Sequence, residues 1–138
     1  PAPVPADQAM ELAMEEGADR IYILGGTGTR LDHVVANIKL LSHALERKKE
    51  CILMDAHNRI RLIDQPLTIE KKKQYGKYVS LFAFGGQVTG LTLRGFFYPL
   101  TEYDMTPENP IGVSNEITAE NGEISFSSGM LLVMESKD

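Results

Sequence analysis

The pattern of apolar and polar residues changes character near the middle of the chain. In the first half, residues 8–16 and 31–45 place apolar side chains at helical spacing, whereas residues 18–24 and 51–55 form short, continuous apolar runs. Such runs are typical of strands buried on both faces. Strands that alternate with helices favour an α/β fold with parallel strands. This half is too short to close a sheet, so we expect it to be partial or completed by another chain.

The two predicted helices have recognisable ends. The first starts after Asp7, buries a stripe of Ala9, Leu12 and Ala13, and ends at Gly17. The second has Thr29 as its N-cap, with Asp32 completing a pair that resembles a capping box. Its main apolar stripe consists of Leu31, Val34, Val35, Ile38, Leu41 and Leu45. Leu40 and Ala44 extend a second apolar side, so we expect this helix to be covered twice, by its own sheet and by a second domain or partner subunit.

The second half of the chain is typical of an antiparallel β-sandwich or barrel. A half-exposed strand is predicted at residues 59–64. Pro66 and the charged run at residues 70–73 then mark a domain boundary. We interpret the lysines of this run as a solvated hairpin or linker. The domains are therefore predicted as 1–66, partial α/β, and 67–138, all-β sandwich. Further strands are predicted at residues 78–84, 88–94, 111–117, 124–126 and 130–134.

Turns and aromatic residues complete this prediction for the second half. Gly85-Gly86 separates two strands, and Asn121-Gly122 is a strong signal for a two-residue hairpin. Three consecutive aromatic residues, Phe96, Phe97 and Tyr98, are interpreted as core rather than as a ligand platform.

Composition narrows the function. The chain has 138 residues, 43% of them hydrophobic, a net charge of −5 and a pI near 5.2, which argues against nucleic acid or an anionic membrane as a partner. The sequence shows no apolar run long enough for a membrane span and no signal peptide. Its single cysteine, Cys51, excludes an internal disulfide and is expected to be a buried, inert thiol. We therefore expect a cytoplasmic protein.

A glycine-rich turn joins the first strand to the second helix. Glycines at 25, 26 and 28 lie where α/β proteins bind phosphate, because N–H groups at a helix start point at the ligand. Arg30 and His33 lie in the first helical turn, where a positive charge interacts unfavourably with the helix dipole. A bound anion would make this interaction favourable. The segment is neither a P-loop nor a full dinucleotide fingerprint. Alternatively, the turn binds no ligand, Asp32 only caps the helix, and His33 is a hydrogen-bonded structural histidine.

A second polar group interrupts the β half. Ser114, Asn115 and Glu116 follow one another between apolar residues. Because an Asn side chain both donates and accepts hydrogen bonds, such a group suits the edge of a heteroaromatic ring. The alternative is a bulge or a turn with solvated side chains.

Taken together, two segments resemble the thiamine pyrophosphokinases (thiamine diphosphokinases) of the bacterial type. They are Gly28-Thr29-Arg30-Leu31-Asp32-His33 with Ala36-Asn37-Ile38, and Val113-Ser114-Asn115-Glu116, which residues 93–100 precede and residues 129–133 follow. The resemblance covers nearly all of the chain from about residue 9. It implies an enzyme that transfers pyrophosphate from ATP to thiamine, giving thiamine diphosphate and AMP. It also implies an α/β domain, a β-sandwich, and a homodimer whose site is shared between subunits.

The resemblance also assigns roles by position. Thr27, Gly28, Thr29 and Arg30 would bind the ATP phosphates, and Arg30 would neutralise their charge. Asp32 would lie beside Mg²⁺ or the thiamine hydroxyl, as a metal ligand or as a general base, and both roles stay open.

Three further positions take roles in the same way. His33 would support the catalytic cluster of Arg30 and Asp32. Ser114 and Asn115 would contact thiamine, through its aminopyrimidine ring. The implied ligands are thus ATP as co-substrate, thiamine as acceptor and Mg²⁺ as metal.

The sequence also departs from the family. The family's acidic Gly-Asp-x-Asp-Ser segment is not in this sequence, and the position of its Thr-Asp pair falls at Val4 and Pro5. The chain is therefore expected to be an N-terminally incomplete form, or one whose first residues are altered. Since Mg²⁺-dependent transfer needs more carboxylates than Asp32, we expect the 138-residue chain alone to be nearly inactive. The alternative function is a non-catalytic module that binds thiamine or a nucleotide.

Overall fold

The computed structural model describes residues 6–25 and 30–138, which fall into two compact units. The first unit ends at Ala56, and the second runs from His57 to Asp138. This division lies ahead of residue 66, the boundary predicted from the sequence, because the strand that follows His57 pairs with the last strand of the chain. Within the described ranges, no helix is long and apolar enough to cross a membrane.

The first unit alternates helices and strands as predicted. Its elements are α1 (Ala6–Glu15), β1 (Arg20–Leu24), α2 (Leu31–Glu46) and β2 (Glu50–Met54). β1 and β2 pair in parallel, from Arg20 opposite Glu50 to Leu24 opposite Met54. A parallel pair needs a crossover connection, which α2 supplies. The predicted α/β character of this half is confirmed at the level of its elements.

The buried face of α1 differs from the predicted one. Met10 and Met14 are buried, whereas Leu12 is 57% exposed. The predicted stripe of Ala9, Leu12 and Ala13 is therefore wrong. The helix contains a second pair at i, i+4 spacing, and two methionines remove more apolar area from water than two alanines. The predicted end at Gly17 is confirmed, since Gly17 has φ +92 and its N–H donates to the carbonyl of Met14.

Helix α2 is buried at its C-terminal half and exposed at its start. Leu41 and Ala44 are buried, whereas Leu31 is 76% and Val35 is 53% exposed. The predicted apolar stripe is therefore only partly covered in this chain.

The second unit is antiparallel. Its elements are β3 (Asn58–Ile63), β4 (Leu67–Glu70), a 3₁₀ turn (Lys71–Lys73), β5 (Tyr78–Arg94), β6 (Leu100–Met105), β7 (Asn115–Glu116), β8 (Asn121–Ser125) and β9 (Ser128–Ser136). β9 pairs with β3 and β5, and β8 pairs with β5 and β4. β6 and β7 also pair with β5. The predicted solvated lysines form the exposed 3₁₀ turn.

Two glycine signals act differently from their predicted roles. β5 is one long strand through Gly85-Gly86, where its register against β9 shifts, so the predicted turn there is wrong. Asn121-Gly122 lies inside β8, opposite β4, so the predicted hairpin turn is also wrong. A side chain at Gly122 would meet Phe96 and Ile117 at 2.8 Å, so this glycine permits close packing rather than a turn.

Other strand predictions shift for similar reasons. The predicted strand at residues 111–117 shortens to β7, because residues 111–114 form a turn. β4 and β6 are strands that the sequence analysis did not predict. Short strands without strict alternation are hard to separate from loops, since their burial depends on the partner strand.

Apolar side chains from several strands form the hydrophobic core of the second unit. Its fully buried members include Val79, Leu81 and Val88 of β5, with Ile124 of β8 and Val133 of β9. Apolar burial of this kind is the main driving force for folding. Asn115 and Glu135 are buried polar residues of the same unit, and both have hydrogen-bond partners.

Candidate functional site

The start of α2 carries the predicted phosphate-binding residues. The helix begins at Leu31, with Arg30 at the N-cap position in an extended conformation and without a side-chain capping bond. The predicted N-cap, Thr29, lies outside the described residues, as do Thr27 and Gly28. Arg30, the predicted charge-neutralising residue, is exposed at this helix start. Its guanidinium is therefore accessible to a ligand from solvent.

Asp32 is held by two donors at this helix start. Its Oδ2 accepts a hydrogen bond of 2.6 Å from Arg30 Nη2, and its Oδ1 accepts one of 2.9 Å from the backbone N–H of His33. The hydrogen bond from Arg30 is the main cause that lowers the pKa of Asp32 below its usual value. Asp32 thus satisfies one of the free N–H groups of the first turn, which is the capping alternative considered above. His33 is exposed beside it.

The carboxyl ends of β1 and β2 lie next to each other. Gly25 donates its backbone N–H to the carbonyl of Met54 over 2.8 Å, which joins the end of β1 to the end of β2. Asp55 follows Met54 directly and therefore lies at the same edge. Ligands of open α/β sheets bind at this carboxyl edge. Asp55 is not among the site residues predicted from the sequence, although its position just after a strand parallel to β1 was the available signal.

The described side chains do not form a metal site. Among residues 6–25 and 30–138, no group of three or more His, Cys, Asp or Glu side chains is placed to hold a metal ion. Asp32, the tentative metal ligand, is ion-paired with Arg30 instead. Mg²⁺ prefers an octahedral shell of oxygen ligands, and the described side chains do not fit a complete site of that kind.

Ser114 occupies an unusual backbone conformation in the second unit. Its φ is +57, and its side chain is exposed. Its backbone N–H donates to Ser80 Oγ over 2.9 Å, so the turn is tied to β5. Left-handed φ values are uncommon for residues other than glycine, and they occur often at functional sites.

Asn115 is buried, with 3% of its surface exposed. Its Oδ1 accepts hydrogen bonds from the backbone N–H groups of Tyr98 and Glu116, over 3.0 and 2.9 Å. Its Nδ2 donates to the backbone carbonyl of Tyr98 over 2.8 Å. The amide therefore forms its hydrogen bonds with main chain, chiefly that of Tyr98.

The aromatic run next to Asn115 is only partly core. Phe96 is buried, whereas Phe97 is 61% and Tyr98 is 63% exposed. The rings of Phe97 and Tyr98 meet edge to face, with centroids 4.8 Å apart. The prediction that all three rings are core is wrong for these two, because residues 97 and 98 lie in a bend between β5 and β6 and not in a strand that packs on the core.

These features define a protein of the class that joins an α/β segment to an antiparallel β unit. A parallel α/β segment with a charged helix start is followed by an antiparallel β unit with a polar turn and an exposed aromatic pair. Ser114 and Asn115 belong to one unit, and Arg30, Asp32 and His33 belong to the other.

Comparison with known proteins identifies the family. Residues 6–53 match the family model described as "Thiamin pyrophosphokinase, catalytic domain", and residues 65–131 match that described as "Thiamin pyrophosphokinase, vitamin B1 binding domain". The two matches occur in this order and together cover most of the chain. The chain belongs to the thiamin pyrophosphokinase family.

Individual relatives agree with this. Thiamine pyrophosphokinase of Bacillus subtilis (strain 168) is 33% identical over 132 residues, which are 96% of this chain and 62% of the relative. A crystal structure of the Bacillus subtilis enzyme matches with a TM-score of 0.90 and 34% identity, over 96% of this chain and 62% of that one. A crystal structure of thiamin pyrophosphokinase from Geobacillus thermodenitrificans matches with a TM-score of 0.82 and 31% identity. This match covers 95% of this chain and 60% of that one. The chain thus spans less than two thirds of the length of these relatives.

Proposed function

We propose that this chain carries out thiamine diphosphokinase chemistry, the transfer of a pyrophosphoryl group from ATP to thiamine, as part of an enzyme of this family. The carrying observation is that the catalytic-domain and vitamin-B1-binding-domain models match in order, at residues 6–53 and 65–131. The proposed phosphate group, with Arg30, falls in the first match, and the proposed thiamine group, with Ser114 and Asn115, falls in the second.

The proposed reaction breaks one bond and forms one. The hydroxyl oxygen of thiamine attacks the β-phosphorus of ATP, and the bond from that phosphorus to the oxygen of the α-phosphate breaks. The hydroxyl proton is released to solvent, and AMP leaves with the electron pair of the broken bond. Little covalent assistance is needed in such a transfer, so positioning and charge stabilisation dominate catalysis.

Arg30 is proposed to stabilise the charge of the transferring group. Its exposed guanidinium lies at the helix start, where backbone N–H groups also favour anions. Its bond to Asp32 uses one terminal nitrogen, Nη2, and a guanidinium has further donors that can bind a polyphosphate. Thr27, Gly28 and Thr29 are proposed to add donors to the same phosphates, and His33 to support this cluster.

Asp32 is proposed to act in its charged form. Its lowered pKa, caused first by the hydrogen bond from Arg30, makes it a poor proton acceptor near neutral pH. This favours orienting Arg30 or ligating a metal over general-base catalysis. Mg²⁺ stays a prediction from the resemblance, since the described donors do not complete its site, and no step of this proposal runs through it.

The finer features of the family are proposals as well. A homodimer with a site shared between subunits would explain why Leu31 and Val35 are exposed on α2. The β-sandwich is likewise proposed from the resemblance, and the cytoplasmic location is proposed from the single cysteine. The alternative, a non-catalytic binding module, is not favoured, because the first half matches a catalytic-domain model.

Calorimetric titration of this chain with ATP and with thiamine tests the two assignments separately. Arg30→Ala is expected to weaken ATP binding and to leave thiamine binding unchanged. Ser114→Ala is expected to do the reverse. Arg94→Ala, which removes an exposed cation at the end of β5, is the control for general charge effects. If Arg30→Ala leaves ATP affinity unaltered, the phosphate assignment is wrong.

A further inference from the structure

Asn121-Gly122 has the composition of a turn but lies within the strand β8. No other asparagine of the chain is followed by glycine. In such a pair the backbone nitrogen of the glycine can attack the side-chain amide carbon of the asparagine, because glycine has no side chain to hinder the approach. Asparagine is thermally labile in proteins. The pair is therefore a candidate for chemical modification, and this holds independently of the proposed function.

The packing of β8 explains why residue 122 is a glycine. A Cβ atom at Gly122 would lie 2.8 Å from side-chain atoms of Ile117 and Phe96, which are both buried. Carbon atoms in favourable contact stay well beyond that distance. A larger residue, which would slow the attack on the preceding amide, thus does not fit at this position. The reactive pair is a consequence of close packing.

The side chain of Asn121 is open to solvent. Asn121 is exposed, and it lines a cavity of about 730 Å³ together with Lys71, Thr118 and Glu120, among others. Water therefore reaches the amide, and no surrounding core prevents its rotation. Two of the conditions for a reaction at this amide are met, since the next residue has no side chain and the amide itself is accessible.

The backbone nitrogen of Gly122 is engaged in the pairing of β8 with β4. Ile69 lies opposite Gly122, and the Lys71 N–H donates to the carbonyl of Glu120 over 2.8 Å. Hydrogen-bonded pairs recur at every second residue of an antiparallel ladder, so Ile69 and Gly122 form such a pair as well. The nitrogen that would attack is thus held by β4, in an extended backbone that opposes ring closure.

The strand that protects this nitrogen lies at the end of the sheet. β4 has four residues, is last in the strand order, and has β8 as its neighbour there. The exposed 3₁₀ turn at Lys71–Lys73 follows it directly. Short elements at an edge open locally at a lower free energy than the core does. Separation of β4 would free the Gly122 nitrogen while the rest of the unit stays folded.

We propose that Asn121 is a site of spontaneous deamidation and that the pairing of β4 with β8 controls its rate. When β4 separates, the Gly122 nitrogen loses its proton to water and bonds to the side-chain carbon of Asn121. The C–N bond of the side-chain amide breaks, and ammonia leaves with the electron pair and a proton. The resulting succinimide ring takes up water and opens to aspartate or to isoaspartate.

The isoaspartate product should not return to the native pairing. Its main chain runs through the side-chain carbon, which lengthens β8 and changes its register against β4. The backbone oxygen of Asn121 lies so close to Gly95 that a Cβ there would approach it to 2.1 Å. In isoaspartate this carbonyl becomes a free carboxylate, so a charge would enter the contact. Aspartate keeps the main chain and only adds a negative charge opposite Glu70.

Peptide mapping by mass spectrometry after incubation at neutral pH tests the site. Conversion of the amide to an acid is expected at Asn121, at least roughly tenfold faster in guanidinium chloride than in the folded chain, because unfolding removes the ladder. Asn109 precedes a proline, which has no N–H, and should stay intact as the internal control. An unmodified Asn121 in guanidinium chloride would overturn the site. Equal rates in the folded and unfolded chain would overturn its protection by β4.

Two matched variants separate the opening of β4 from global unfolding. Ile69→Ala removes a buried side chain from β4, and Ile60→Ala removes the same side chain from β3. Both should lower the melting temperature, but only Ile69→Ala is expected to accelerate the reaction at Asn121 several-fold in the folded chain. Equal acceleration would show that global unfolding admits the attack. If Ile69→Ala does not fold, Thr68→Gly weakens β4 at an exposed position and carries the same expectation.

Thermal unfolding of the products tests the effect on β8. Anion exchange separates the modified chain by its added negative charge, and the isoaspartate fraction is expected to melt at a lower temperature than Asn121→Asp. Asn121→Gln, whose longer side chain closes the ring far less readily, should remain unmodified and melt with the unmodified chain. An isoaspartate fraction that melts with the unmodified chain would overturn the loss of pairing between β4 and β8.

Discussion

Arg59 and Glu135 lie directly opposite each other on β3 and β9, and the Arg59 guanidinium donates two hydrogen bonds, 2.7 and 2.8 Å long, to the two carboxylate oxygens. Glu135 is completely buried. The Arg61 guanidinium and the backbone N–H of Tyr75 also donate to the Glu135 carboxylate, each at a distance of 3.1 Å. This carboxylate therefore joins β3, β9 and the segment before β5 through charged hydrogen bonds.

Removal of this charge should destabilise the second unit. In Glu135→Gln, two arginines face a neutral amide that accepts fewer hydrogen bonds, and breaking a buried pair in this way costs about 3–5 kcal/mol. Urea denaturation at neutral pH measures the loss. Glu123→Gln, an exposed change on β8, is the control and should stay within about 0.5 kcal/mol of the unmodified chain. Equal stability of the two variants would contradict a structural role for the buried carboxylate.

A low pH should remove the stability that the charged Glu135 carboxylate contributes. Burial alone would raise the pKa of Glu135, but the hydrogen bonds from Arg59 and Tyr75 and the arginine charges outweigh burial and hold the pKa below its ordinary value of 4.5. Because the folded-state pKa is the lower one, this stability is present above the unfolded-state pKa and is lost as the pH falls through the folded-state pKa. The difference in free energy of unfolding between the unmodified chain and Glu135→Gln should therefore shrink as the pH falls below 4.5 and through the folded-state pKa. A difference that stays constant as the pH falls well below 4.5 would show that Glu135 does not titrate as described.

Gly95 and Gly86 should respond differently to alanine. Gly95 has φ +79, and a side chain there would meet the backbone oxygen of Asn121 at 2.1 Å, whereas one at Gly86 would meet nothing within 4 Å. Gly95→Ala should cost about 2–4 kcal/mol, and Gly86→Ala should change stability by less than about 0.5 kcal/mol. Thermal unfolding of the two variants makes the comparison. Since Gly95 precedes Phe96, a small effect at Gly95 would mean that the aromatic segment is less rigidly held than the structure indicates.

Cys51 should be chemically inert in the folded chain. It is buried in β2, and burial raises the pKa of its thiol to about 11. The thiolate is the reactive form, so iodoacetamide at neutral pH should leave the folded chain unlabelled and label it once in urea. Mass spectrometry counts the added groups. Rapid labelling without denaturant would show that β2 opens readily.

Hydrophobic periodicity predicted the first unit well, because its signal is local. The helices and strands of residues 8–54 follow from runs of apolar residues and from Gly17. The face of α1 did not follow, because two apolar stripes compete on that helix and the neighbouring elements select one. In the second unit, Gly85-Gly86 and Asn121-Gly122 have turn composition but lie within strands, since glycine also serves close packing and changes of register.

The polar contacts also divide into local ones, between residues close in the sequence, and long-range ones. Arg30 and Asp32 are two residues apart, so the sequence placed both at the helix start, although it did not predict the ion pair between them. Asn115 and Glu135 have partners far away along the chain, in Tyr98 and in Arg59 and Arg61. No local pattern contains such a pairing, because strand register determines it.

The sequence by itself determined the family, the order of helices and strands in the first unit, and the polar groups at residues 30–33 and 114–116. Only the tertiary structure decided which faces are buried, that Asn115 holds the main chain of Tyr98, and that Phe97 and Tyr98 face solvent. The reason is physical: helix and strand preferences come from near neighbours, whereas burial and hydrogen-bond partners depend on residues that only folding brings together.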